Sequence, residues 1–302
     1  MRQFIAAFCL SAAAASAAGI NAYYSGSYGL YALGSVAGAS GYGAIDFEQG
    51  NHNVLLLAAA SDSSSGVIDA VPVTRGTSGH ITAFGTAATF ATTPYIDAGM
   101  AYASNGDLLY TRNDGTIGEL KPGSTSPNKT VTSPASSSNG GTILPSGVAG
   151  GTMIVASYSA GKICTSVLTA DGNGTYNLSS CGNSTTLTNP QGMAWIAAGS
   201  PLFYSASLLV GRGGSIYAYT ADANGLPVSS TGTAFASFGG AIEGLTLDPV
   251  TGDLLVSTTA SDQIYEIQGF AAPSSAAEPG SLVLVPLGLA LCCFGRRPLR
   301  RR

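Results

Sequence analysis

A chain of 302 residues is long enough to bury a large core, yet only 9% of it is charged and the formal net charge is −4. Six of its twelve Lys and Arg residues sit at the two ends, so the stretch between holds six basic residues against fifteen acids, near −9, which excludes a nucleic-acid partner held by phosphate contacts. Forty-one glycines with abundant Ser, Thr and Ala favour short strands joined by small-residue turns over helices with charged outer faces, so the expectation is an all-β chain.

The N-terminus, MRQFIAAFCLSAAAASAAG, has a basic residue at Arg2, an apolar stretch over 4–10 and a small-residue end. These are the three parts of a secretory signal peptide, expected as a helix over 1–19 with cleavage between Ala17 and Ile20 and export of the mature chain.

Five segments of the body, 20–270, then share one grammar. They are AIDFEQGNHNVLLLAAASDSSSGVIDAVPV (44–73), GMAYASNGDLLYTRNDGTIGEL (99–120), GVAGGTMIVASYSAGKICTSVLTADGNG (147–174), GMAWIAAGSPLFYSASLLVGRGGSIYAYTADANG (192–225) and GLTLDPVTGDLLVSTTASDQIYEIQG (244–269). Each holds short apolar strands separated by Gly, Asn, Asp or Pro turns, and Gly-Asp-Leu-Leu recurs letter for letter in the second and fifth. Taking Leu55, Leu108, Met153, Leu202 and Leu254 as equivalent gives spacings of 53, 45, 49 and 52 residues. That period, with about four strands per unit, predicts a β-propeller of five to six four-stranded blades. An N-terminal strand is expected to complete the last blade and close the ring, which removes exposed sheet edges. A twisted β-sandwich is the rival, and it leaves the period unexplained. Between the second and third units, residues 124–141 read as a long surface loop.

Cys164, in the third unit, and Cys181, just after it, are the two cysteines of the exported body. The residues between them read as two strands around an Asp-Gly-Asn-Gly turn, so a disulfide across a hairpin is expected in an oxidising compartment; two separate buried thiols are the other reading.

After the body, residues 271–280 (AAPSSAAEPG) are small, polar and Pro-containing, as in a flexible linker. Residues 281–295 form an apolar stretch, expected as a short transmembrane helix, and 296–302 carry Arg296, Arg297, Arg300, Arg301 and Arg302, a basic cluster that keeps this end cytoplasmic. Glu278-Pro279, the apolar stretch and the terminal arginines together resemble the PEP-CTERM sorting signal of Gram-negative bacteria over about the last 25 residues, with Ala277 standing where that signal has its first proline. The resemblance implies an exosortase of the inner membrane as partner, transient anchoring by the C-terminus, and transfer to the cell surface or the extracellular polysaccharide matrix.

The repeats themselves resemble NHL-type and gluconolactonase-like propellers. Catalytic raw material is scarce: His52 and His80 lie in loop-like contexts and read as solvated, and no Ser-His-Asp, zinc or phosphate-loop spacing is present. Position within the repeat marks out one further set. The residue before the Gly that opens each unit should face the mouth of the central channel, which singles out Glu243, Gln191 and Ser146, with Asp97 beside the equivalent Ala98. In one reading these side chains cap strand ends. In the other they hold a divalent cation such as calcium, which needs six to eight oxygens; the gluconolactonase resemblance implies a metal at that place, activating a lactone or phosphoester. The leading expectation is a non-catalytic, exported surface or matrix propeller with no cofactor, binding polysaccharide or surface proteins. The alternative is a metal-dependent, lactonase-like propeller hydrolase acting outside the inner membrane.

Overall fold

Five antiparallel sheets succeed one another along the chain in the computed structural model, which describes residues 18–135, 140–143 and 151–271. Two N-terminal strands, β1 (Gly19–Ile20) and β2 (Gly29–Gly34), come first. The first blade is β3 (Ile45–Glu48), β4 (Asn51–Ala59), β5 (Val67–Arg75), β6 (Ile81–Phe84) and β7 (Ala88–Thr92); the second is β8 (Ile96–Tyr102), β9 (Leu108–Arg112), β10 (Thr116–Leu120) and β11 (Lys129–Thr132). The third is β12 (Thr142–Ile143), β13 (Thr152–Ser157), β14 (Lys162–Ala170), β15 (Tyr176–Leu178) and β16 (Ser184–Thr186). The fourth is β17 (Met193–Ile196), β18 (Ser207–Arg212), β19 (Ser215–Thr220) and β20 (Thr233–Ser237), and the fifth is β21 (Ile242–Leu247), β22 (Leu254–Thr258) and β23 (Gln263–Gln268). The chain is therefore an all-β propeller of five four-stranded blades, at the lower of the two expected counts. In the first and third blades two short strands share the outermost place, β6 with β7 and β15 with β16.

Why these segments become middle strands is visible in the packing. In β4, Leu55 and Leu57 pack towards the fifth blade while Leu56 and Ala58 pack towards the second; in β9, Leu108 faces the first blade and Leu109 the third. A strand buried on both faces reads as a continuous apolar run rather than an alternation. The buried residues fall into five clusters, one at each junction between neighbouring blades. Each fully buried Leu contributes roughly 1.5–3 kcal/mol, so the blade junctions are where most of the hydrophobic stabilisation resides.

Closure uses the N-terminus, as expected, but in two places. β2 is the outermost strand of the fifth blade, pairing with β23, and β1 extends the fourth, pairing Gly19 with Ser237 and Ile20 with Ala236. Between them Tyr24 and Tyr28 enter an aromatic cluster with Phe203, Phe235 and Phe270; Tyr24 stacks on Phe203 at 5.9 Å and Tyr28 lies 4.6 Å from Phe270.

Several expectations are corrected. The register of the fourth blade makes Leu208, not Leu202, the counterpart of Leu108, because residues 197–206 form an insertion between β17 and β18. In the first blade, Leu56 rather than Leu55 takes that place, since Ala58 N donates to Ala44 O. The loop expected over 124–141 contains β11, which pairs with β10 from Thr116↔Thr132 to Glu119↔Lys129. Gly19, at the end of the expected signal and within its cleavage window, is paired in β1. Residues 1–17 of the expected signal helix, the linker from 272, the apolar stretch 281–295 and the arginine cluster lie outside the described residues. Among the described residues no helix is long and apolar enough to cross a membrane.

Polar locks reinforce the seams. The carboxylate of Glu119 accepts hydrogen bonds from Tyr176 N at 2.9 and 3.2 Å, and Lys129 Nζ donates to Tyr176 O, so the second blade grips both polar groups of one residue of the third. Glu266, at the same place in its blade, accepts from Ile81 N of the first blade at 3.2 Å. On that seam Arg75 also holds the fully buried Asp248 through two bonds, 2.5 and 3.1 Å.

Candidate functional site

The innermost strands β3, β8, β12, β17 and β21 line the axis, and each has a glycine shortly before its start (Gly43, Gly141 and Gly192) or within it (Gly99 in β8 and Gly244 in β21). A Cβ on any of the five would collide with backbone of the next blade, at Asp97, Thr142, Gln191, Glu243 and Ile45 respectively. Glycine here lets adjacent inner strands approach to bonding distance, with Ala44 N donating to Asp97 O at 2.7 Å and Gly141 N to Gln191 O at 2.8 Å. The ladder is irregular at this point in the second and fifth blades, between Ile96 and Met100 and between Ile242 and Leu245. Thr111 Oγ1 and Ser257 Oγ accept from the N–H groups of Gly99 and Gly244 instead. Such bulges re-aim neighbouring side chains.

Three of the four residues expected at the channel mouth are brought together. Gln191 Nε2 donates to Glu243 Oε1 at 2.8 Å, and Asp97 and Glu243 lie close enough to repel one another electrostatically. Ser146 lies outside the described residues; Gly140 precedes the inner-strand glycine of the third blade. Asp62, in the turn between β4 and β5, was not singled out by the sequence, yet its carboxylate hydrogen-bonds with Asp97 and with Asn113. It sits in a left-handed conformation, φ 62°, with its N–H on Ile96 O at 2.9 Å. Nothing in the Ser-rich stretch SDSSSG distinguishes it from a solvated turn.

Burial dominates the electrostatics. It pushes Glu243 up to about 8, helped by repulsion from Asp62 and opposed by the Gln191 bond. Asp97 is held well above the usual carboxylate range by burial and then by repulsion from Asp62 and Glu243. Asp62 is raised by burial and pulled back by its bonds to Asp97 and Asn113. None of the groups acting on these acids is basic. At neutral pH Glu243 therefore keeps its proton, and the hydrogen bond between the carboxyls of Asp97 and Asp62 needs a proton between them. Two buried acceptors, Asp97 Oδ2 and Gln191 Oε1, have no hydrogen-bond partner among the described residues.

As a cation site the channel offers oxygen donors of the right chemistry for calcium, but its three carboxylates do not bring one oxygen each within 4.8 Å of one another. Among the described residues the set that does is His80, Asp253 and Glu266, on the seam between the first and fifth blades. There each group already has partners. His80 Nδ1 bonds Asp253 Oδ2 at 2.5 Å, Thr251 Oγ1 donates to the same oxygen at 2.6 Å, and Gln268 Nε2 donates to Glu266 Oε2 at 2.7 Å. His80 is thus a seam residue rather than the solvated one expected, while His52 lies in the exposed start of β4.

Cys164 and Cys181 pack in one cluster as free thiols joined by a hydrogen bond, and burial together with that bond pushes the Cys164 thiol up to about 12. The hairpin between them is β14 and β15, but Cys164 itself pairs with Ser184 of β16. Glu278, Pro279 and the five terminal arginines lie outside the described residues.

A second feature sits away from the axis. The 197–206 insertion, the N-terminal segment and the outer half of the fourth blade enclose a cleft of about 320 Å³ bordered by Tyr23, Phe203, Tyr204, Ser205, Tyr219 and Thr220. Among the described residues no charged side chain lines it.

No known protein family matches the chain, and no curated protein is similar to it. Solved structures with a similar course of the chain include a carbohydrate-active enzyme of family AA12 from Trichoderma reesei, at 13% identity over 84% of this chain and 98% of that one, TM-score 0.49. A gluconolactonase from Xanthomonas campestris aligns at 10% identity over 83% and 94%, TM-score 0.49, and an auxiliary nutrient binding protein from Bacteroides thetaiotaomicron at 11% over 78% and 70%, TM-score 0.45.

Proposed function

We propose that this chain is an exported, non-catalytic binding propeller, sorted through Glu278-Pro279 and the arginine-ended tail by an exosortase to the cell surface or extracellular matrix. The observation that carries the binding role is the division between channel and cleft. The axial acids answer one another through a hydrogen bond between the Asp62 and Asp97 carboxyls and through the Gln191 amide, whereas the 197–206 insertion helps build an open surface cleft whose described lining carries no charge. Scaffold positions repeat from blade to blade; the cleft does not, and departures from a repeat are where such folds place their binding faces.

The sorting half is tested by replacing Glu278-Pro279 with Ala-Ala and tracking processing and surface delivery. Retention of the full-length chain in the inner membrane is expected, and unchanged delivery would refute it. In an oxidising compartment Cys164 and Cys181 would close to a disulfide, adding about 3 kcal/mol for a loop of this length. Mass spectrometry of unreduced protein should find the bridge, with a lower Tm after reduction.

The two unpartnered acceptors, Asp97 Oδ2 and Gln191 Oε1, favour a second reading, a metal-dependent hydrolase with a divalent ion in the channel. A stoichiometric ion in the purified protein, lost in Glu243→Gln together with activity on lactones, would select it.

A further inference from the structure

We propose that the cleft of the fourth blade is a binding site for a neutral glycan chain, seated on the rings of Tyr204 and Tyr23. This rests on the binding role proposed for the chain and names its ligand class. Tyr204 and Tyr23 are the most exposed large apolar side chains of the described residues, at 84% and 60%, and both border the cleft.

Their presentation is built rather than incidental. Leu202 adopts φ 63°, a left-handed conformation that a branched side chain rarely takes. The turn drives Phe203 into the aromatic cluster, where it is 4% exposed, and leaves Tyr204 outside. The insertion is braced at several points: Phe203 N donates to Ser200 O at 2.9 Å, Gly199 N to Phe203 O at 3.0 Å, Tyr28 Oη to Pro201 O at 2.5 Å, and Ala271 N to Ser200 Oγ at 3.2 Å. Tyr23 is fixed by Asn21 Oδ1, which accepts from its N–H at 3.0 Å, and by edge contact with Tyr24 at 4.9 Å. Two rigid rings with solvent-facing surfaces provide contact area at small entropic cost on binding.

The lining selects the ligand. Among the described residues no Lys, Arg or His lines it to neutralise a phosphate, a nucleotide or an acidic glycan, the nearby Arg212 being engaged with Tyr219 Oη at 2.9 Å and Thr188 O at 2.8 Å, and no Asp or Glu lines it to hold a cationic peptide. Ser205, Thr220 and Thr233 line it alongside the aromatic residues, which disfavours a wholly apolar occupant whose entry would strip polar groups of water. A neutral sugar ring meets both demands, with a C–H face for tyrosine and hydroxyl edges for Ser and Thr. A volume of about 320 Å³ is at the small end of ligand sites, suited to a short stretch of such a chain.

Isothermal titration of the full-length chain in mild detergent against a panel of neutral hexasaccharides (gluco-, manno-, galacto- and xylo-) and against hexagalacturonate tests the assignment. At least one neutral hexasaccharide should bind, and hexagalacturonate at least tenfold more weakly. Tyr204→Ala should weaken the neutral ligand about tenfold, or ~1.4 kcal/mol, while Tyr204→Phe stays within about threefold and Val167→Ala, at an exposed position of the third blade, leaves affinity unchanged. No binding across the neutral panel, equal binding of hexagalacturonate, or an unaffected Tyr204→Ala would overturn it. So would a photocrosslinker at position 204 that captures residues 272–302 of the chain itself. Failure of the panel with the protein metal-free and inert removes the glycan and leaves the binding role standing. Hydrolysis of a hexasaccharide removes the binding role as well.

Discussion

Glu243 shows how much a single residue's surroundings decide. Its carboxyl keeps its proton to about pH 8 in the folded chain, against an ordinary value near 4.5, so folded and unfolded states differ in proton uptake. Below about 4.5 both hold the proton and the stabilisation is complete; between there and about 8 the unfolded chain releases it and the folded chain does not, so stability falls as pH rises. Asp97 and Glu119 are raised in the same direction, Glu119 to about 7. Thermal unfolding should therefore give a higher Tm at pH 5 than at pH 8, and Glu243→Gln should flatten much of that slope, worth up to roughly 4 kcal/mol. Asp171, ion-paired to Lys129, is shifted downwards and acts in the opposite sense at lower pH. Removing the Glu119 grip by Glu119→Ala leaves Tyr176 N–H unpaired, and chemical denaturation should show a loss of about 1–3 kcal/mol.

Among the elements, each inner strand depends on a glycine whose place no Cβ can take, so Gly244→Ala should cost about 2–3 kcal/mol, or ~5–10 °C in Tm, against about 1–2 kcal/mol at exposed Gly172, where there is room for a Cβ and only the positive φ penalises it. The N-terminal segment staples the fourth and fifth blades through the ring cluster, and Tyr28→Ala should remove about 3–5 kcal/mol. The strands themselves were legible where composition and burial agree, as in the repeated Gly-Asp-Leu-Leu of β9 and β22. They were misphased where the two diverge. Leu202-Phe203-Tyr204 mimics a strand because its apolar residues serve a loop's aromatic core, and the Val-Leu-Leu-Leu run of β4 is buried on both faces, so it carries no phase to separate Leu55 from Leu56. Strand β11 escaped because Lys-Thr-Val-Thr sits in a Ser/Thr-rich stretch that looks like a loop, although its edge position needs little apolar surface.

At the scale of the whole molecule, a period near fifty residues sufficed for the propeller, because a sheet with two apolar faces must stack on its neighbours and a ring of such sheets leaves no free end. The channel acids were half legible. Asp97, Gln191 and Glu243 stand beside the inner-strand glycines and so derive from the repeat, whereas Asp62 and Asn113 come from turns whose polarity has no signature of its own. His80 needed the seam between first and last blades, a contact spanning 173 residues that no local pattern reports. The cleft likewise arises where the repeat is interrupted, from residues far apart in sequence. The proposed binding role requires axial carboxyls that are satisfied by protons rather than by a cation. Thermal unfolding of the full-length chain at pH 8, in excess chelator and then in millimolar calcium, tests this most directly. Equal midpoints in the two buffers are predicted; a rise of several degrees with calcium that disappears in Glu243→Gln would contradict it.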